Sequence, residues 1–234
     1  MEGRKKLVVS SEGMYLFTNL LCALSVAIVT AADFGVSMIV APAYILSLKV
    51  PFLTFGQAEY VVQGLLFIVL CFLMKKVKLI YFASFNTCFL YGAFLDLWRL
   101  LIPALTPEVI AAGETPMALR IVYFVVGTLL TQLAVALYFR LYIYPQVYEF
   151  FIKCLSARFN IDITKVKTVY DFVSLSLSVG MTLLFFGRIT GIGIGTIVTT
   201  FVNGVGIRFF GNLVDKHLEF RPSFPQLASL FDYR

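Results

Sequence analysis

Six long apolar stretches, each close to bilayer length, divide the chain. They cover residues 15–32, 57–74, 79–102, 119–142, 168–186 and 191–214. A helix of about 20 mostly apolar residues crosses a bilayer, so the pattern predicts an all-α polytopic membrane bundle of six transmembrane helices. Two shorter stretches fall below that length. Residues 35–50 are apolar but interrupted by Pro42, and residues 144–159 follow Pro145 and carry Glu149, Lys153 and Arg158. The first reads as a re-entrant or interfacial half-helix, the second as an amphipathic helix on the cytoplasmic surface. For both, a plain connecting helix is the alternative.

The connection over 103–116, with Pro103, Pro107, Gly113 and Pro116 beside Glu108 and Glu114, divides a single transmembrane domain, residues 1–218, into halves at 14–103 and 117–215. Each half reads as one span, a short segment and two more spans. Thr54 with Gln57 matches a helix-capping box, and Asp162 with Thr164 offers a comparable start in the second half. Residues 86–92 parallel 198–204, with Gly92 and Gly204 in register. Three spans per half would make such a repeat inverted, an arrangement recurrent in transporters; chance likeness between apolar helices is the other reading. Residues 219–234, with Pro222 and Pro225, read as a cytoplasmic tail.

Charge gives the pattern a direction. Of the 19 Lys and Arg, all but Lys49, Arg99, Arg120 and Arg188 fall on one side: in alternate connections, at the two ends or, for Arg140 and Arg208, in the last two turns of a span. The positive-inside bias predicts a cytoplasmic N-terminus and C-terminus. A net charge of +6 and 60% hydrophobic residues fit topology and contact with anionic lipid headgroups rather than nucleic acid. The basic start, Met1 to Lys6, precedes an apolar run without a small-residue cleavage site, which reads as a retained helix. Cys22, Cys71, Cys88 and Cys154 show no CxxC spacing, and the single histidine, His217, is remote from them. No metal site or cofactor is expected.

Several polar positions interrupt the spans. Gly191, Gly193 and Gly195 open the sixth, and close helix contact is their ordinary use. An unwound start would instead leave backbone amides for an anion, beside Thr196 and Arg188. Asp96 and Arg99 lie one turn apart and read as an ion pair, an interfacial pair, or part of a ligand site. Asp33 either caps the next segment or faces a cavity. Asn86, Thr87, Gln63, Asn203, Thr199 and Thr200 read first as interhelical hydrogen-bonding groups. Glu59 and Asp171 read as interfacial. The candidate substrate-binding set is Asp33, Asn86, Asp96, Arg99, Gly191, Gly193, Gly195 and Asn203. With no histidine in the spans and no phosphate-binding loop, no enzyme is expected.

The run Tyr144-Pro145, then 162–171 (Asp-Ile-Thr-Lys-Val-Lys-Thr-Val-Tyr-Asp), then 191–196 (Gly-Ile-Gly-Ile-Gly-Thr), then Asn203-Gly204, resembles the YczE/YyaS/YitT-type bacterial membrane proteins. Residues 33–37 and 53–56 carry a looser likeness in the first half. The resemblance implies a bacterial inner-membrane protein and supplies no ligand residues. Two functions remain in view: a small-solute transporter or membrane-embedded binding component, and a non-transport factor that stabilises or regulates a partner. Expected partners are membrane lipids, a small-molecule ligand under the first reading, and a second copy or another membrane protein.

Overall fold

Helix starts in this chain are set by side chains that replace missing backbone partners. Ser10 accepts the Gly13 amide and opens α1, Ser11–Ala31. Thr54 and Gln57 form the expected capping box at the head of α3, Phe55–Met74. Asp162 accepts the Lys165 amide at the head of α7, Ile163–Phe186. Helix ends use the left-handed conformation: Lys75 closes α3 and Asn160 closes α6, Val147–Phe159. The remaining elements are β1 Leu7–Ser10, α2 Ala41–Lys49, α4 Phe82–Leu101, α5 Met117–Tyr138, α8 Ile194–His217, β2 Leu218–Arg221 and α9 Pro225–Ala228. The computed structural model describes residues 6–75, 78–106, 109, 113 and 115–231, with Thr164 described by its backbone only. Arg4, Lys5, Lys76, Pro107, Glu108, Glu114, Arg234 and the Thr164 side chain therefore lie outside the described residues.

Six of these helices are long and apolar enough to cross a membrane, and the protein is an all-α polytopic bundle. α1 and α5 form its centre, packed on each other; α4 lies on α1 and α8 on α5. α3 packs on α4, where Gly56 and Gly92 bring the two backbones together. No comparable packing joins α7 to α8, and both expose large apolar side chains such as Phe172, Leu184, Phe201 and Val205.

The two ends of the domain meet. β1 pairs in parallel with β2, Leu7 opposite Leu218 and Ser10 opposite Arg221. Glu12 then accepts the amides of Ser223 and Phe224, and Phe231 packs edge-on against Tyr142 and Tyr144. The segment read as a cytoplasmic tail is folded back onto the bundle, at least to Phe231. Its aromatic and backbone groups have partners that its weak periodicity did not reveal. Chain direction then puts Lys6, Lys75, Lys78, Arg140, Arg158, Lys165 and Lys216 at the strand-bearing face. Lys49, Arg99, Arg120 and Arg188 fall at the opposite face.

Both short helices run back alongside a long one. Val147 N–H donates to Gln63 Oε1 midway along α3, whereas Arg158 donates to the Met74 carbonyl at its end. α6 therefore rises from the interior to the strand-bearing face. Met38, just before α2, accepts from Ser174 in the middle of α7, and Lys49 donates to Phe185 O at 3.1 Å near its end. α2 thus rises to the opposite face. Residues 144–159 do not lie along a surface: Val147, Tyr148, Phe150, Phe151, Ile152 and Cys154 are buried. The apolar faces of α3, α4 and α7 take up side chains that water would otherwise meet.

Candidate functional site

Gly191 and Gly193 precede α8, and Gly195 lies in its first turn. Gly191 has φ +75° and the helix begins only at Ile194. Their backbone groups are engaged by the loop after α1. Val36 N–H donates to Gly191 O at 3.0 Å, and Gly195 N–H donates to Phe34 O at 2.7 Å. Thr196 hydroxyl donates to Val36 O at 2.7 Å. A Cβ on Gly35, itself at φ +94°, would run into the Gly193 amide, and one on Gly193 would approach Phe34 O to 2.5 Å. The Phe34 carbonyl holds the amide that an anion would need. This crossing of two glycine loops floors an open depression of about 430 Å³ at the opposite face, walled by Asp33, Arg188 and Ile194.

The other candidates are dispersed. Asp33 is held at φ +52° and pairs with Arg120 at 3.0 Å; the same guanidinium donates to the Ala32 and Asp33 carbonyls at the end of α1. It closes the helix it follows and does not cap α2. Asp96 does not pair with Arg99. Its carboxylate accepts Thr54 Oγ1 at 2.5 Å and Gly56 N–H at 3.0 Å, completing the cap of α3. Arg99 stacks over the Phe55 ring at 4.8 Å. Asn86 is exposed on the flank of α4. Asn203 accepts from Gln132 at 3.4 Å and lines a recess of about 20 Å³ with Thr128, Thr131 and Thr199, room for about one water. Asp33, Gly191 and Gly193 share one depression; Asp96 with Arg99, Asn86 and Asn203 lie elsewhere.

The densest polar site is one the sequence reading left at the interface. Glu59, on the second turn of α3, has no solvent exposure, and neither has Gln63 one turn further. Glu59 Oε2 accepts from Tyr148 hydroxyl at 2.8 Å and from Gln63 Nε2 at 3.1 Å. Gln63 Nε2 also reaches Gln146 Oε1 at 3.2 Å, while Gln63 Oε1 receives Val147 N–H at 3.1 Å. Gln63 thereby takes one of the free amides at the head of α6, a helix end that favours negative charge. Cys22 and Cys88 close the cluster from α1 and α4, at 3.6 Å from Gln146 Nε2 and 3.9 Å from Glu59 O.

The cluster is incompletely satisfied. Glu59 Oε1 and Tyr91 hydroxyl are buried without a hydrogen-bond partner. So are Glu149 Oε2 on α6 and Asp171 Oδ1 on α7, although Asp171 Oδ2 takes Lys167 Nζ at 2.7 Å. Burial pushes the Glu149 carboxyl up to about 7, against the pull of Lys167 and Lys153. Burial likewise lowers the Lys153 ammonium to about 8. Glu59 and Gln63 stand at i and i+4 on an otherwise apolar span. That spacing puts both on one face and was the available signal for this site.

Among the described residues no cluster of three His, Cys, Asp or Glu fits a metal ion. No curated protein and no solved structure matches the chain. A family of unknown function, DUF6198, matches residues 9–212; its description carries neither an activity nor a link to the YczE/YyaS/YitT type. The six apolar helices and that match make this multi-pass membrane protein a member of DUF6198.

Proposed function

We propose that the protein is a small-solute transporter of a bacterial inner membrane, with its strand-bearing, Lys-rich face in the cytoplasm. One observation carries the reading: two short helices enter from opposite faces, and each begins beside buried polar groups on a long helix of the other half. α6 begins at Gln63 and Glu59 of α3, and the segment leading into α2 meets Ser174 of α7. The packing partners exchange accordingly, α2 with α3 and α7, α6 with α7 and α3. We read this as an inverted repeat, the architecture in which substrate sites form at interrupted helices near the bilayer centre. The depression at Asp33, Arg188 and Gly191 would be the approach from outside.

A transporter of this plan must open the cluster to water. Cys22 and Cys88 are native reporters, since both are buried against it. In membrane vesicles a small, membrane-impermeant thiol reagent should modify them slowly, at a rate set by opening. Protection over hours would count against transport. A second reading, a non-transport factor that stabilises a partner, is favoured by the sealed cluster and the apolar faces of α7 and α8. Lasting protection, together with copurification of one membrane protein, would support it.

A further inference from the structure

We propose that Asp171, Glu149 and Glu59 form a proton path from the strand-bearing face into the bundle, with Glu59 as its inner terminus. Each of the three carboxyl groups keeps one buried oxygen without a hydrogen-bond partner. They also succeed one another in space. Glu59 lies within electrostatic reach of Glu149, and Glu149 within reach of Asp171 and Lys167. Asp171 stands two turns into α7 from the strand-bearing face, Glu149 in the first turn of α6, and Glu59 beyond it on α3. Tyr148 joins α6 to Glu59 directly through its hydroxyl.

A dry, unpaired carboxylate is costly in a membrane interior, and a proton is the smallest species that removes the charge. Glu59 alone offers too few ligands for a divalent cation. No O–H bond is made at one carboxyl without one being broken at the next: the proton leaves Glu149 for Glu59 Oε1 and is replaced from Asp171. The titratable groups facing Glu59, besides Glu149, are Tyr91 and Cys88 of α4, Cys22 of α1, Tyr148 of α6 and Tyr170 of α7. Those facing Glu149, besides the other two carboxyls, are Lys153 of α6, Lys167 and Tyr170 of α7, Tyr138 of α5, Tyr91 of α4 and Cys22 of α1. Both lysines sit toward the strand-bearing side, beside the outer two carboxyls.

The inference deepens the transport reading and rests on it for its purpose. Its test reads protonation alone, whereas thiol labelling reads opening alone. Infrared spectra of the full chain in proteoliposomes should show a protonated carboxyl C=O band at neutral pH. The component of that band from Glu59 should be missing from Glu59→Gln, leaving the component of Glu149, and it should shift but persist in Tyr148→Phe, which removes one hydrogen bond and keeps the carboxyl. Glu149→Gln should retain the band but slow its shift in deuterated buffer about tenfold, the effect of ~1.4 kcal/mol on a barrier. A band undiminished in Glu59→Gln, or absent from the wild type, would overturn the assignment of Glu59. Wild-type exchange in Glu149→Gln would overturn the path. A band abolished by sodium at constant pH would make Glu59 a cation site instead.

Discussion

The two short helices share a backbone plan and differ in what meets their inner ends. The segment before α2 meets hydroxyls: Ser174 donates to Met38 O, with Ser178 and Thr182 buried along the same helix. The inner end of α6, with Gln146 as its N-cap residue, meets a carboxylate and an amide, Glu59 and Gln63. Hydroxyls bond their own helix backbone and need no charge to be neutralised, as Thr182 does with Val179 O. A carboxylate in the same position needs a donor for every oxygen, and Glu59 lacks one. The α2 side therefore reads as scaffold and the α6 side as the place where a charge state can change.

Breaking the scaffold should have the largest effect. Gly35→Val places a branched side chain at φ +94° and against the Gly193 amide. We expect it to destabilise the protein by about 4 kcal/mol, seen as a lowered melting temperature in detergent. On the other side, Gln63→Ala strands the Val147 amide and removes a donor from Glu59. A loss of about 3 kcal/mol is expected, and a wild-type melting temperature would show that the network bears little of the α6 anchorage.

Glu149→Gln sharpens the comparison through pH. Burial raises this carboxyl from 4.5 to about 7, so the fold favours its protonated form. That contribution is complete below about 4.5 and is lost as pH rises toward 7. The variant should match the wild type in acid and exceed it by roughly 3 kcal/mol above neutrality. An equal difference at all pH values would remove Glu149 from the titrating set. Ser178→Ala, at the hydroxyl end, should change stability by no more than about 0.5 kcal/mol, because its oxygen has no partner to lose. A change as large as that of Gln63→Ala would erase the distinction between the two ends.

The spans were legible because bilayer-length apolar runs have few alternative folds, and Thr54 with Gln57 marked a helix start that the structure keeps. The short helices were legible as interruptions, but not their direction. That depends on Gln63 meeting Val147 and Ser174 meeting Met38, contacts between residues far apart in sequence. Asp96 and Arg99 illustrate the same limit. Helical spacing makes them neighbours, yet the unfilled amides at the start of α3 draw the carboxylate away. Glu59 was misplaced for a related reason: its position near a predicted helix start suggested an interface. Gln146 and Tyr148, which bury it, arrive from the other half of the chain.

Cys88 lies against the main-chain carbonyl of Glu59, so its reactivity reports whether water reaches that part of the cluster. The decisive measurement is the pH profile of Cys88 labelling in vesicles, wild type against Glu59→Gln. Because the Glu59 charge also reaches the Cys88 thiol, each rate is divided by the thiolate fraction titrated in the same protein, and the ratio of the corrected rates isolates the effect of Glu59 on opening. The account predicts a ratio that changes with pH, as protonation of Glu59 governs opening in the wild type alone. A ratio constant across pH, with both proteins labelled, would contradict it.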